Sequence, residues 1–347
     1  MVLPRVTASQ MPTLANAIYT VAGGTVTEID RHRRQMERVW GPAYFQDLSS
    51  SLDTYLDGGS GLPAAPVGIA DSEDAARAQA VRLQAELDTT GLAVRDRHLY
   101  YAGPDATALV LAGSSTPADT AVTVADLPTP SGLAYFDRDD TDGFFLAWHV
   151  YRDRLLRIQL VSKAGMNAFL TQDTTEGWEV AGYRYLPIAT TECVLSLPDT
   201  DDSPEAVRMF RQNLYVARPE DSPAVQLMYP DIDGKRFSDV LLSFANMLRQ
   251  TNLLERETLD VPTRRLGGGP RRLEDRQVTY LSYRPRTPSG EPKTAGTRHY
   301  SHRWMVRGHW KRQWYPSENR HHPIWIEQYV AGPDDAPIKV PDKVVIV

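Results

Sequence analysis

Cysteine is nearly absent from this sequence: Cys193 is the single one in 347 residues. One cysteine cannot close a disulfide within a chain, and a cysteine-rich zinc site is excluded. Such usage fits a reducing compartment. Long apolar runs are missing too. None approaches the roughly 20 residues that span a bilayer. The opening MVLPRVTASQMPTLANAIYT has no basic segment followed by an apolar one, so it does not resemble a secretion leader. The expectation is a cytoplasmic protein with no membrane partner. A phosphate loop is lacking as well. Gly267-Gly268-Gly269 is not followed by Gly-Lys-Ser/Thr, and no strand feeds it.

What is present describes a folded chain. Apolar residues make up 41% and aromatics 9% of it, well above disordered composition. The length suggests about two domains. The net charge of −6 hides a split. Residues 1–255 carry 21 basic and 34 acidic side chains, whereas residues 256–325 carry 15 basic and 6 acidic. Asymmetry of this kind points to a polyanionic partner for the basic part, or to docking of that part on an acidic surface.

The patterning predicts an α+β fold. Residues 1–90 form a helical N-terminal region: a short helix over 10–20, two helices within 27–56 broken at Gly41-Pro42, and a helix over 71–88. The basic run Arg31, Arg33, Arg34, Arg38 fits a solvated helix face better than a DNA-reading unit. Residues 92–256 are expected to be a mixed β-rich domain of short strands, including TALVLAG (107–113) and TAVTVADLP (120–128). One hairpin should turn at Arg152-Asp153. The aspartates 137, 139, 140 and 142 fit a solvated turn better than a calcium loop, because no closing bidentate Glu follows. A helix over 236–255 should close this domain. Residues 257–298 are rich in Arg, Gly and Pro and predict a basic arm, with a strand-like QVTYLSYRP inside it.

Chemistry concentrates in residues 299–333. Five of the eight histidines and four of the seven tryptophans fall there. With His302–Tyr315 taken as one strand, side chains alternate between two faces. His302, Trp304, Val306, Gly308, Trp310, Arg312 and Trp314 make a mostly aromatic face. Arg303, Met305, Arg307, His309, Lys311, Gln313 and Tyr315 make a mostly basic one. Gly308 among the aromatics implies close approach of another group. A second strand, Pro323–Val330, should pair back, so that residues 299–347 form a small β unit.

The string Val306-Arg307-Gly308-His309-Trp310, followed by His322-Pro323-Ile324-Trp325-Ile326 and Gly332-Pro333, resembles the C-terminal motif of a group of uncharacterised proteins from actinobacteria, their phages and mobile elements. The resemblance implies no catalytic residue and no cofactor. By association, it makes nucleic acid a more plausible partner.

Several functions fit this stretch. The first is nucleic-acid binding, with Arg264, Arg265, Arg271, Arg272, Arg303, Arg307, Lys311 and Arg312 on phosphates and exposed aromatics on bases. The second is an enzyme acting on a phosphate-containing substrate, with His309 as proton carrier, Arg307 holding the phosphate, and Glu318 or Glu327 as partner. A protein–protein adaptor is the third. Metal binding is disfavoured, since His321 and His322 diverge on a strand. The bland alternative makes the tryptophans core and the histidines structural.

Overall fold

A computed structural model describes residues 6–46, 48–57, 69–92, 98–116, 123–139, 143–163, 185–195, 238–261, 276–284, 301–317, 320–333 and 336–338. The fold is α+β, built on a mixed seven-stranded sheet between two layers of helices.

The N-terminal helices differ from expectation at one point. Helix α1 runs unbroken over Met11–Trp40, joining the two segments expected over 10–20 and from 27. It stops where the sequence indicated, at Gly41, which takes a φ of 88°. That left-handed conformation suits glycine, and Pro42 then cannot continue the helix. Helices α2 (Leu48–Asp57) and α3 (Glu73–Leu92) follow.

Strand β1 (His98–Ala102) leads into helix α4 (Pro104–Ser115) and then into β2 (Ser131–Phe136), which pairs with β1 in parallel. Here TALVLAG is helix, not strand. Gly103 stands at the N-cap, Pro104 at N1 and Asp105 in the first turn, all helix-start signals. Its buried side is Ala106, Thr107, Val110 and Gly113, but small apolar residues such as Ala108 and Ala112 also fill the exposed side, which erases the helical stripe from the sequence and makes the run look strand-like. The described part of TAVTVADLP, from Thr123, is not a strand either; it contains a 3-10 turn at Val124–Asp126.

Strands β3 (Phe144–Tyr151), β4 (Leu155–Lys163) and β5 (Tyr185–Val194) continue as an antiparallel meander. The β3–β4 turn sits where expected, with Arg152 and Asp153 at φ 51° and 55°. Such left-handed pairs match the twist of a tight hairpin. Helix α5 (Ser238–Leu248) closes one face, as expected, but ends seven residues short of 255. Polar residues 249–252 turn the chain instead, and β6 (Leu254–Val261) begins.

The described part of the segment expected to be a basic arm belongs to the main sheet. Strand β7 (Arg276–Tyr283) lies between β1, which it pairs in parallel, and β6, which it pairs antiparallel. The full order is β5-β4-β3-β2-β1-β7-β6.

Alternation along the strands divides the core between the two faces. On one face, Tyr100, Phe136, Leu146, Trp148 and Leu281 pack under α4 and α5, chiefly against Val110, Leu241, Phe244 and Met247. On the other, Leu99, Tyr101, Leu133, Tyr135 and Val278 meet Met11, Leu14 and Ile18 of α1. A third cluster joins Met36, Phe45, Leu52, Ala80 and Val81 to Tyr151 and Leu155. Each large apolar side chain so buried is worth about 1.5–3 kcal/mol. Among the described residues, no helix is long and apolar enough to cross a membrane.

Candidate nucleic-acid interface

The C-terminal stretch folds as a hairpin whose two strands each lapse once. Strand β8 (Trp304–Val306) pairs with β11 (Tyr329–Ala331), and β9 (His309–Tyr315) pairs with β10 (Arg320–Ile326). Val306 faces Tyr329 and His309 faces Ile326. The two ladders therefore keep one register across the gap at 307–308 and 327–328. The expected single strand over 302–315 is thus interrupted, but its alternation survives.

The gap has a visible cause on each side. The Trp325 ring lies over Gly308, where an added Cβ would come within 2.5 Å of its Cζ2. The Tyr283 hydroxyl donates to the Glu327 carboxylate at 2.6 Å. Close approach at Gly308 was the expectation, and Trp325 supplies it.

The hairpin is seated on the main body by its aromatic face. Trp325 is only 3% exposed and joins the core under α5. Trp310 packs beside it edge-on at 5.2 Å and donates from Nε1 to the Gly113 carbonyl at 2.9 Å. That carbonyl lies in the last turn of α4, where carbonyls lack intrahelical donors. The Gln250 side chain accepts from the Trp325 amide at 3.0 Å. Of the four tryptophans, Trp325 is therefore core and Trp310 is partly buried against it. Trp304 is half-buried, and Trp314, at 43% exposure, stands beyond the body with its ring against His321.

A second anchor was invisible in the sequence. Asp126 accepts from the Thr123 amide and hydroxyl, each at 2.8 Å, and is bridged by Arg249 and, at 2.7 Å, by Arg320. Burial pushes its carboxyl upward, but the Thr123 amide and the Arg320 guanidinium outweigh this and hold it below 3.8. Arg249 also donates to His322 Nε2 at 3.4 Å. An arginine can only donate, so this nitrogen accepts and the His322 proton sits on Nδ1. Positions 126, 249 and 320 share no local pattern; only the tertiary fold joins them.

The predicted site residues fare differently. Arg264, Arg265, Arg271 and Arg272 lie outside the described residues, as does Glu318. Arg303 is half-buried and donates from Nε to the Ala336 carbonyl at 2.8 Å, which ties down the 336–338 segment. Arg307, His309, Lys311 and Arg312 are all exposed on the hairpin. His309 Nδ1 lies 3.0 Å from the Arg307 carbonyl oxygen. Arg307 and His309 are neighbours on an open strand surface. His321 and His322 do diverge, one ring against Trp314 and the other against Tyr315. Among the described residues, no three His, Cys, Asp or Glu side chains converge in a metal-holding group. Asp137, expected in a solvated turn, is buried and accepts from the Tyr101 hydroxyl at 2.9 Å.

The outer face of β9 thus presents Arg307, His309 and Lys311 in a row. Across the ladder, His309 faces Ile326 and Lys311 faces Ile324. Among the described residues, neither Arg307 nor Lys311 has an ion-pair partner. Arg31, Arg33 and Arg34 of α1 contrast with them: they are bridged to Glu28, Glu37 and Asp30.

No family model, curated protein or solved structure matches the chain. What the chain can do is therefore read from the arrangement of the hairpin. A groove of about 390 Å³, lined by Glu28, Arg31, His32, Gln35, Arg82 and Glu86, lies between α1 and α3. Its cations are already paired, Arg31 with Glu28 and Arg82 with Glu86 at 2.7 Å. It offers an anion little.

Proposed function

We propose that this chain binds nucleic acid through the outer face of its C-terminal hairpin, as a cytoplasmic protein of the phage or mobile-element type that its motif resembles. The observation that carries this reading is the row Arg307–His309–Lys311. These side chains are exposed, and no carboxylate stands opposite His309 or Lys311 on the partner strand. A surface ladder that serves only stability gains from opposite charges in cross-strand pairs. Here the opposite positions are isoleucines. Cations with no ion-pair partner among the described residues, on a rigid support, suit a polyanion, whose phosphates release counterions as Arg and Lys approach. The rigidity comes from Trp310 and Trp325, which fix the hairpin to α4 and the core.

The test is the salt dependence of oligonucleotide affinity. Affinity should fall steeply as salt rises. Arg307→Gln and Lys311→Gln should each lower the slope of log affinity against log salt by about one. No affinity even at low salt would end the proposal. Charge removal is preferable to truncating 264–325. Truncation would take β7 from between β1 and β6 and Trp325 from the core.

A further inference from the structure

We infer that the nucleic acid this hairpin takes is single-stranded, lying along the outer face of β9 with a base stacked on Tyr315; this rests on the nucleic-acid reading above. Arg307, His309, Lys311, Gln313 and Tyr315 share that face, since alternate residues of a strand point the same way. At about 3.4 Å per residue, the track from Arg307 to Tyr315 is about 27 Å long. It is a single file of cations ending in an aromatic ring, which suits one phosphate backbone rather than two.

The hairpin's seating argues against a duplex. A two-stranded ribbon can enter a major groove. This one is packed against α4 and the core through Trp310 and Trp325, so the body blocks insertion. What stays open on the outer face is the β9 edge, where Arg307, His309, Lys311 and Tyr315 are exposed, while Arg320 and His322 of the partner strand turn onto Asp126 and Arg249. Single-strand binders combine such a basic track with exposed rings that stack on bases.

Tyr315 is built as a platform. Its side chain is 36% exposed. Its ring leans edge-on against the His322 ring at 5.1 Å. His322 is in turn buried and held by Arg249, which is locked to Asp126. The ring is thus propped by His322 at one edge and keeps 36% of the residue exposed. Trp314, next in the chain, points to the opposite face with Arg312 and lies off the track.

The experiment uses the full chain and fluorescence anisotropy with a labelled oligothymidylate and a duplex of equal length, at low salt. The single strand should bind more tightly. Tyr315→Leu should weaken single-strand binding about tenfold, the loss expected of one stacked base, and leave duplex binding and the melting temperature unchanged. Tyr315→Phe should retain affinity, and Trp314→Leu should cost little. Equal affinity for duplex and single strand, or equal losses from Tyr315→Leu and Trp314→Leu, would overturn this inference while leaving the nucleic-acid reading intact. Absence of binding to either probe would overturn both.

Discussion

Gly308 holds the space that the Trp325 ring needs. A methyl group there would meet the ring at 2.5 Å, and the ring is wedged in the core. Gly308→Ala should therefore destabilise the protein by about 1–3 kcal/mol, in the range of an overpacked site; thermal denaturation would measure it. An unchanged melting temperature would mean the ring can move aside. Tyr151 illustrates a different residue-scale effect. Burial, and then its hydrogen bond to Asp88 at 2.6 Å, push its hydroxyl up from 10.0 to about 12. A raised folded value means that its contribution is complete below pH 10 and is lost as pH rises through about 12. Tyr151→Phe should flatten the alkaline limb of a stability–pH profile. A limb of unchanged steepness would place the sensitive group elsewhere. Gly308 was readable from the sequence because a glycine inside an aromatic row has few other reasons to be there. Tyr151 was not, since Asp88 lies on a different element.

At the scale of elements, the hairpin depends on two anchors of different chemistry. Trp325→Ala should cost about 3–5 kcal/mol, the usual range for removing a buried large aromatic, whereas Trp314→Ala should cost far less because Trp314 is 43% exposed. Chemical denaturation of both variants would separate them. Alternation put Trp310 and Trp314 on one face, and that was correct. It could not show that Trp310 reaches the Gly113 carbonyl while Trp314 stays 43% exposed, which is a tertiary fact. The ionic anchor should respond to acid. Asp126 is held below 3.8 by the Thr123 amide and Arg320 despite its burial. A depressed folded value means its contribution is present above the unfolded value and lost as pH falls through the folded one. Asp126→Asn should thus be less acid-sensitive than the native chain in the same profile, though less stable at neutral pH. Helix α4 was misread for a related reason. A helix with apolar residues such as Ala108 and Ala112 on its exposed side shows no stripe, and only the Gly103-Pro104-Asp105 start signal distinguished it from a strand.

At the scale of the molecule, the sheet joins segments distant in sequence. Strand β7 reaches back about 180 residues to lie beside β1. Parallel pairing of that range leaves no local trace, so the segment looked like part of an arm. The α+β class and the helix packed on the sheet were legible, because they follow from periodicity. The order of strands was not. One consequence is that the described parts of the basic C-terminal region are not an appendage. Strand β7 is an interior strand of the sheet, and the hairpin is fixed to α4 and the core under α5. The acidic side chains of residues 1–255 outnumber the basic ones by 13, so the hairpin presents a cationic face on an otherwise anionic chain. Such a face should bind polyanions at one locus. The most direct test is the salt dependence of oligonucleotide affinity for the full chain beside its Arg307→Gln/Lys311→Gln variant. The expected result is a steep decline with salt for the native chain and a slope shallower by about two for the variant. Identical slopes for the two proteins, or no affinity at low salt, would contradict the account.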